Sequence, residues 1–269
     1  MEESSRIEHE ARRPGASGHW LMALYPLWQW LVLIPAAAII TIVAALAAMV
    51  MCAFGLQRQA NLGAAARWAR WIAYMTPMRV EIQGAEHIEP GQSYVVVANH
   101  QSQYDIPLIY GFCGLDLRWV MKAEIGKLPF IAQGCRAIGH IFIDRRNPDQ
   151  ARAAINHAVA ELPPGTGVLF FPEGTRSRSG ELMKFRKGAF RVAVDRQLPV
   201  LPMTVVGTRE LLPAGSFRIR PGSARLVVHP PIQPGSGPVD ETVVQLCMRT
   251  RSAIAAPLEA HRAGRGERG

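Results

Sequence analysis

Tyr94-Val95-Val96-Val97-Ala98-Asn99-His100-Gln101-Ser102-Gln103-Tyr104-Asp105 passes in one step from an apolar β-branched run to a cluster of polar side chains. Val95, Val96 and Val97 leave no polar face, as expected of a strand covered by helices on both sides. Short β-branched runs recur along the chain, at Val80 to Gln83, Leu117 to Met121, Ile141 to Asp144, Val168 to Phe171, Val200 to Val206 and Arg225 to Val228. Between them, Asp149 to Leu162 and Lys187 to Gln197 place apolar residues three and four apart, the period of an amphipathic helix. A last helix is expected from Asp240, as N-cap, to His261. Strands alternating with helices define an α/β fold, a mixed and largely apolar sheet flanked by helices.

Toward the N-terminus the composition changes. From Trp30 to Leu56 no residue is charged, and at about 1.5 Å per residue a helix of this length exceeds a hydrocarbon core of roughly 30 Å. A cleaved signal peptide would have a shorter apolar region near a basic flank, whereas Glu2, Glu3, Glu8 and Glu10 dilute the flank here. Gln57 to Met78 mixes Arg58, Arg67 and Arg70 with Trp68, Trp71 and Tyr74, which suits a helix at head-group level. Five of the six tryptophans precede residue 72, an arrangement fitting an interfacial belt. The two segments make either a span followed by an interfacial helix or a hairpin in one leaflet. The expected organisation is a polar tail over 1–19, membrane-attachment helices over 20–78, a catalytic domain over 79–262 and a basic tail over 263–269.

Thirty Lys and Arg against 21 Asp and Glu give a formal charge of +9, which favours an anionic membrane surface or a phosphorylated substrate. Nucleic acid is disfavoured, because no interleaving of basic and aromatic residues accompanies a known fold. Cys52, Cys113, Cys135 and Cys247 are widely spaced without a CxxC pair, so neither a zinc site nor a disulfide framework is indicated.

Two loops carry chemistry. Asn99 to Asp105 follows a strand and precedes a helix, the place where ligands bind in open α/β sheets. His100 is of a type that takes a proton from a hydroxyl, and Asp105 can fix its tautomer. By itself the spacing is weak in a chain with eight histidines. Phe171-Pro172-Glu173-Gly174-Thr175-Arg176-Ser177 again follows an apolar strand. Gly174 permits a turn whose amides can converge on an anion, Arg176 offers a fork to phosphate, and Glu173 can orient that arginine or accept from a substrate hydroxyl. Arg178, Lys184, Arg186 and Lys187 add positive charge before a helix N-terminus.

These two loops resemble the first and third signature blocks of the glycerolipid acyltransferases, in particular the 1-acylglycerol-3-phosphate acyltransferases. Lys122-Ala123-Glu124, Leu128-Pro129-Phe130, Gly134 and Gly139 to Arg145 resemble the second block, and Val200-Leu201-Pro202-Met203-Thr204 the fourth. The resemblance covers residues 80 to 230. It implies a cytoplasm-facing enzyme of the inner membrane that moves an acyl group from a coenzyme A or acyl carrier protein thioester onto lysophosphatidic acid, without a metal. His100 would be the base and Asp105 its partner; Glu173, Gly174, Thr175 and Arg176 would hold the acceptor phosphate, with Arg145 and Lys122 adding charge. Leu201 and Met203 stand where the family often has Ile or Val beside its proline; the segment is read as a pocket wall bearing on acyl-chain choice, with ordinary core the bland reading of Met203. Alternatives are a different acceptor, such as glycerol 3-phosphate or a lyso-aminolipid, and a non-enzymatic module binding anionic membranes.

Overall fold

The computed structural model describes residues 25–76, 78–144 and 146–266. The polar tail, the first five residues of the attachment segment and Arg145 lie outside them, as do residues 267–269.

Helix α1, Tyr25–Ala53, is the long apolar segment. Its stretch Gln29–Leu33 is π-helical, placed just before Pro35, which has no N–H to give and whose ring crowds the carbonyl four residues earlier. The chain turns back into α2, which runs from Gln57–Gln59 through a second π stretch, Ala60–Ala65, to Ala66–Met75. Trp68 Nε1 donates to Thr41 Oγ1 at 2.8 Å, so α1 and α2 form a hairpin. The hairpin is docked at both ends. Near the start of α1, Gln29 is buried, donates to the Phe217 carbonyl and accepts from the Ile219 amide at 3.1 Å. Some 28 Å farther along, Ala48 is buried and Ala45 meets Gly134, where even a methyl group would lie 3.0 Å from the Ala45 Cβ. Helix α1 therefore lies along the rest of the molecule rather than projecting from it. Its other side, with Leu31 72% and Phe54 77% exposed, is the kind of continuous apolar surface that seeks lipid. Trp71 and Tyr74 of α2 are exposed as well.

Seven strands follow: β1 Met78–Gln83, β2 Tyr94–Ala98, β3 Asp116–Lys122, β4 Ile141–Ile143, β5 Thr166–Phe170, β6 Val200–Val206 and β7 Gly222–Val228. They form one sheet in the order β1-β7-β6-β2-β5-β3-β4. Pairing is parallel from β6 through β2, β5 and β3 to β4, antiparallel between β6 and β7, and parallel between β7 and β1. The helices are α3 Asp105–Phe112, α4 Ile131–Ile138, α5 Pro148–Ala160, α6 Gly188–Arg196, α7 Thr208–Leu211 and α8 Val239–Gly266. The fold is thus α/β with a mixed sheet.

Alternate residues of each central strand enter different cores, as the two-residue period requires. Tyr94, Val96, Leu169, Leu201 and Met203 join the core under the hairpin and α3. Val95, Val97, Val168 and Phe170 join the core under α5, α6 and α8. Leu201 and Met203 are fully buried in the core under the hairpin and α3, as the bland reading of Met203 has it. Two expectations change. Helix α4 is an additional element, hidden by its glycine and its eight-residue length. Asp240 lies in the first turn of α8 rather than at its N-cap, because Thr242 N already bonds the Pro238 carbonyl.

A buried chain of polar groups joins the hairpin to the sheet. The Trp119 amide donates to His140 Nδ1 at 3.3 Å, which leaves the ring proton on Nε2, facing the Tyr110 hydroxyl at 3.4 Å. Tyr110 donates to Asn61 Oδ1 in the π stretch of α2, and Asn61 Nδ2 donates to Asp116 and, at 2.7 Å, to the Leu117 carbonyl. Arg118 pairs with Asp116. Each group in this chain, from the Trp119 amide to Asp116, has at least one hydrogen-bond partner, which favours a stabilising buried network. Burial, aided by Arg118, pushes the His140 pKa down from 6.5 to about 3. The unfolded histidine takes up a proton near 6.5 and the folded one only near 3, so this group's share of stability is present above pH 6.5 and lost as pH falls toward 3. Unfolding followed against pH should show His140→Gln losing about 1.4 kcal/mol per pH unit less than the parent across this window. Equal slopes for the two proteins would refute the assignment.

Candidate functional site

Asn99 ends β2 by prolonging its ladder with a side chain. Its amide accepts from Val205 N at 2.7 Å and donates to Val205 O at 2.9 Å, as a peptide group would. This holds the strand end against β6 while the backbone turns outward at His100. Gln101, Ser102 and Tyr104 are buried in the turn, and the Ser102 hydroxyl donates to the Leu212 carbonyl at 2.7 Å.

Asp105 opens α3 and has no solvent exposure. Its Oδ2 accepts from His100 Nδ1 at 2.7 Å and from the amides of Gln101 and Ser102 at 2.7 and 2.9 Å. Its Oδ1 accepts from the Thr208 hydroxyl at 2.5 Å. Four donors converge on this carboxylate at a helix N-terminus, so both of its oxygens act as acceptors. With Oδ2 accepting, Nδ1 of His100 carries the proton and Nε2 keeps its lone pair. The His100 ring, 15% exposed, stacks on Phe171 with centroids 3.9 Å apart and planes 11° from parallel. The ring is therefore held by its edge and its face, with Nε2 as the nitrogen able to take a proton.

The second loop is knit to the first. Glu173 is 5% exposed, and its Oε1 accepts from the His100 amide at 2.7 Å while Oε2 accepts from Met183 N at 2.9 Å. Burial raises its pKa, and the two amide bonds and nearby His100 oppose that rise. With both oxygens bonded to backbone amides, Glu173 braces the histidine loop. The Ser177 amide donates to the His100 carbonyl at 2.8 Å, and Gly174 N to the Phe171 carbonyl at 3.0 Å. Two amides of the turn, those of Gly174 and Ser177, are thus bonded to carbonyls inside the protein. Gly174 has φ +76°, and a Cβ there would sit 2.8 Å from Arg186 Nε, so only glycine allows this turn.

Thr175 is exposed and Arg176 is half-buried, with no ion pair among the described residues. Lys122 ends β3 at the same edge of the sheet, half-exposed and paired with Glu124 at 2.9 Å. The described neighbour of Arg145, Arg146, is paired with Asp144 at 2.6 Å. His100, Asp105 and Glu173 are thus brought into direct contact, while Lys122 stands beyond the reach of those contacts. Thr208, which donates to Asp105, is a partner of the pair that sequence reading missed; a threonine just after β6, at the same sheet edge, was the available signal. No group of three or more His, Cys, Asp or Glu suited to a metal ion occurs among the described residues.

Residues 79–206, which contain both loops, match the family model described as Acyltransferase. The chain's relatives are more particular. It is 33% identical, over 67% of its length and 49% of the relative's, to a chloroplastic 1-acyl-sn-glycerol-3-phosphate acyltransferase of Arabidopsis thaliana. It is 32% identical, over 68% of its length and 65% of the relative's, to 1-acyl-sn-glycerol-3-phosphate acyltransferase alpha of Homo sapiens. The chain thus spans from about half to just under two thirds of these curated relatives. Its fold resembles that of the crystal structure of the 1-acyl-sn-glycerophosphate acyltransferase of Thermotoga maritima, with TM-score 0.65, 26% identity and coverage of 86% of this chain and 98% of that one.

Proposed function

We propose that this chain transfers a fatty acyl group from an acyl thioester to the free hydroxyl of lysophosphatidic acid, forming phosphatidic acid. The observation that carries the proposal is the bare Nε2 of His100, aimed by a buried carboxylate at the carboxyl edge of the sheet. His100 Nε2 takes the hydroxyl proton as the oxygen attacks the thioester carbonyl. The C–S bond then breaks, and the departing sulfur takes the proton from the imidazolium. Asp105 stabilises that cation for as long as it exists, and no acyl-enzyme is formed. Arg176, with Lys122 and Arg145, meets the acceptor phosphate, for which guanidinium and ammonium groups are suited. Gly174 and Thr175 shape that loop, and Glu173 holds it against the base.

The exposed side of α1, docked at both ends, supports a hairpin seated in one leaflet of the inner membrane, with the sheet edge facing the cytoplasm. The donor is coenzyme A or acyl carrier protein thioester, and no metal takes part. The test is acyl transfer by the purified chain in lipid, offered lysophosphatidic acid, glycerol 3-phosphate and a lyso-aminolipid. Turnover of lysophosphatidic acid well above the other two is expected. Preference for either of the others would replace the acceptor, and no turnover of any would leave the anionic-membrane-binding module.

A further inference from the structure

A hydrogen bond aims one atom of a ring but does not fix the ring's plane. Asp105 holds Nδ1 of His100, and about that bond the imidazole can still tilt, which swings Nε2 across the site. The tilt has to be set from the ring's face. His100 follows β2, Phe171 follows β5 and Trp119 stands in β3, and these three strands are consecutive neighbours in the sheet. Their order lays the three side chains in a row. Phe171 stacks on His100 with centroids 3.9 Å apart, Trp119 meets Phe171 at 5.8 Å with planes 53° apart, and Tyr110 of α3 meets Trp119 edge-on at 5.5 Å and 69°. The two outer contacts have the separations and tilts that aromatic pairs favour.

The row is anchored at the end away from the chemistry. Phe171 is half-buried, so its ring needs a backing to keep it from turning, and Trp119, 4% exposed, supplies it. Trp119 is itself fixed, since its amide donates to His140 Nδ1 at 3.3 Å and the Tyr110 ring against it is tied through its hydroxyl to Asn61. The indole Nε1 is buried with no hydrogen-bond partner among the described residues. That N–H costs free energy which a phenylalanine would not, so the ring and not its polar atom is what this position uses. Neither Trp119 nor Tyr110 belongs to the two loops that carry the chemistry.

We propose that Phe171 and Trp119 are positioning residues for proton transfer, Trp119 acting through Phe171 to hold the plane of the His100 ring so that Nε2 points at the acceptor hydroxyl. The proposal rests on the acyl-transfer reading. Misplacing a reacting atom by about 1 Å can cost on the order of 10²-fold in rate, which sets the scale of the effect.

The experiment uses the full chain in lipid nanodiscs with lysophosphatidic acid and an acyl thioester that the parent accepts. Trp119→Met and Trp119→Phe form a matched pair, because both shorten the side chain to a similar volume and only the second keeps a ring. Thermal unfolding should fall by similar amounts in the two. Trp119→Met should lower kcat by about tenfold or more with KM for both substrates little changed, and Trp119→Phe should keep kcat within about threefold of the parent. Added to Phe171→Leu, Trp119→Met should cost less than about threefold further in kcat, since a ring that acts through Phe171 has nothing to act on once that side chain is gone. If the Trp119 variants do not fold, Phe171→Leu against Phe171→Tyr makes the same comparison one ring nearer to His100. Equal kcat in the ringed and ringless variants, losses that multiply in the double variant, or an effect confined to KM would each overturn the proposal. A parent protein that transfers no acyl group to any acceptor would instead overturn the function on which the proposal rests.

Discussion

Replacing His100 with alanine should lower kcat for acyl transfer by roughly 10²- to 10⁴-fold while leaving attachment to lipid vesicles unchanged. The size follows from the role, since a base acts mainly in the transition state and contributes little to holding substrate. The fold should survive, because Asp105 keeps the amides of Gln101 and Ser102 and the Thr208 hydroxyl as partners. No buried carboxylate oxygen is stranded, so the cost in stability is expected to be small. Kinetics and vesicle flotation on the same preparation check both halves. Full transfer activity in the variant would remove His100 as the base.

The second large effect is expected from Asp105→Asn. The asparagine oxygen can take the place of Oδ2 before three donors, and its NH₂ can turn to Thr208, whose hydroxyl also accepts. Nδ1 of His100 then still donates, so tautomer and ring position are retained. What disappears is the negative charge facing the imidazolium. Transfer should fall by about 10²- to 10⁴-fold in kcat with KM for the acceptor little changed, because the lost charge faces the imidazolium that forms only as the reaction proceeds. A rise in KM without a fall in kcat would mean that Asp105 only shapes the loop.

The two loops differ in how far their residues declare themselves. His100 and Asp105 are five residues apart, so a single turn after a strand brings them together, and a strand followed by polar residues is visible in the chain itself. Glu173 is different. Its partner is a backbone amide 73 residues away, and backbone amides leave no trace in a sequence. A glutamate beside an arginine therefore reads as a substrate clamp, and its two bonds to amides are seen only in the fold. Thr208, 103 residues from Asp105, is missed for the same reason.

The sheet order follows the same division. Strand existence was legible because Val95 to Val97 and Val200 to Val206 are apolar on both faces. The reversal of β7 and β1 was not. The chain between Val206 and Gly222 holds only the short α7, and β7 returns antiparallel beside β6 through contacts that local pattern does not encode. Likewise α1 was readable as a lipid-seeking helix, but whether it stood away from the domain depended on Gln29, a lone polar residue whose partners lie at Phe217 and Ile219.

Sequence alone determined what is set by local pattern: an α/β chain, an apolar attachment helix, and a histidine and a carboxylate placed after a strand. Tertiary structure decided what depends on meetings between distant segments: the brace of Glu173, the fourth donor to Asp105, the docked hairpin, and the row of rings behind His100. The physical reason is that periodicity and turn chemistry act over a few residues, whereas a buried carboxylate is satisfied by whichever donors the packed chain carries to it.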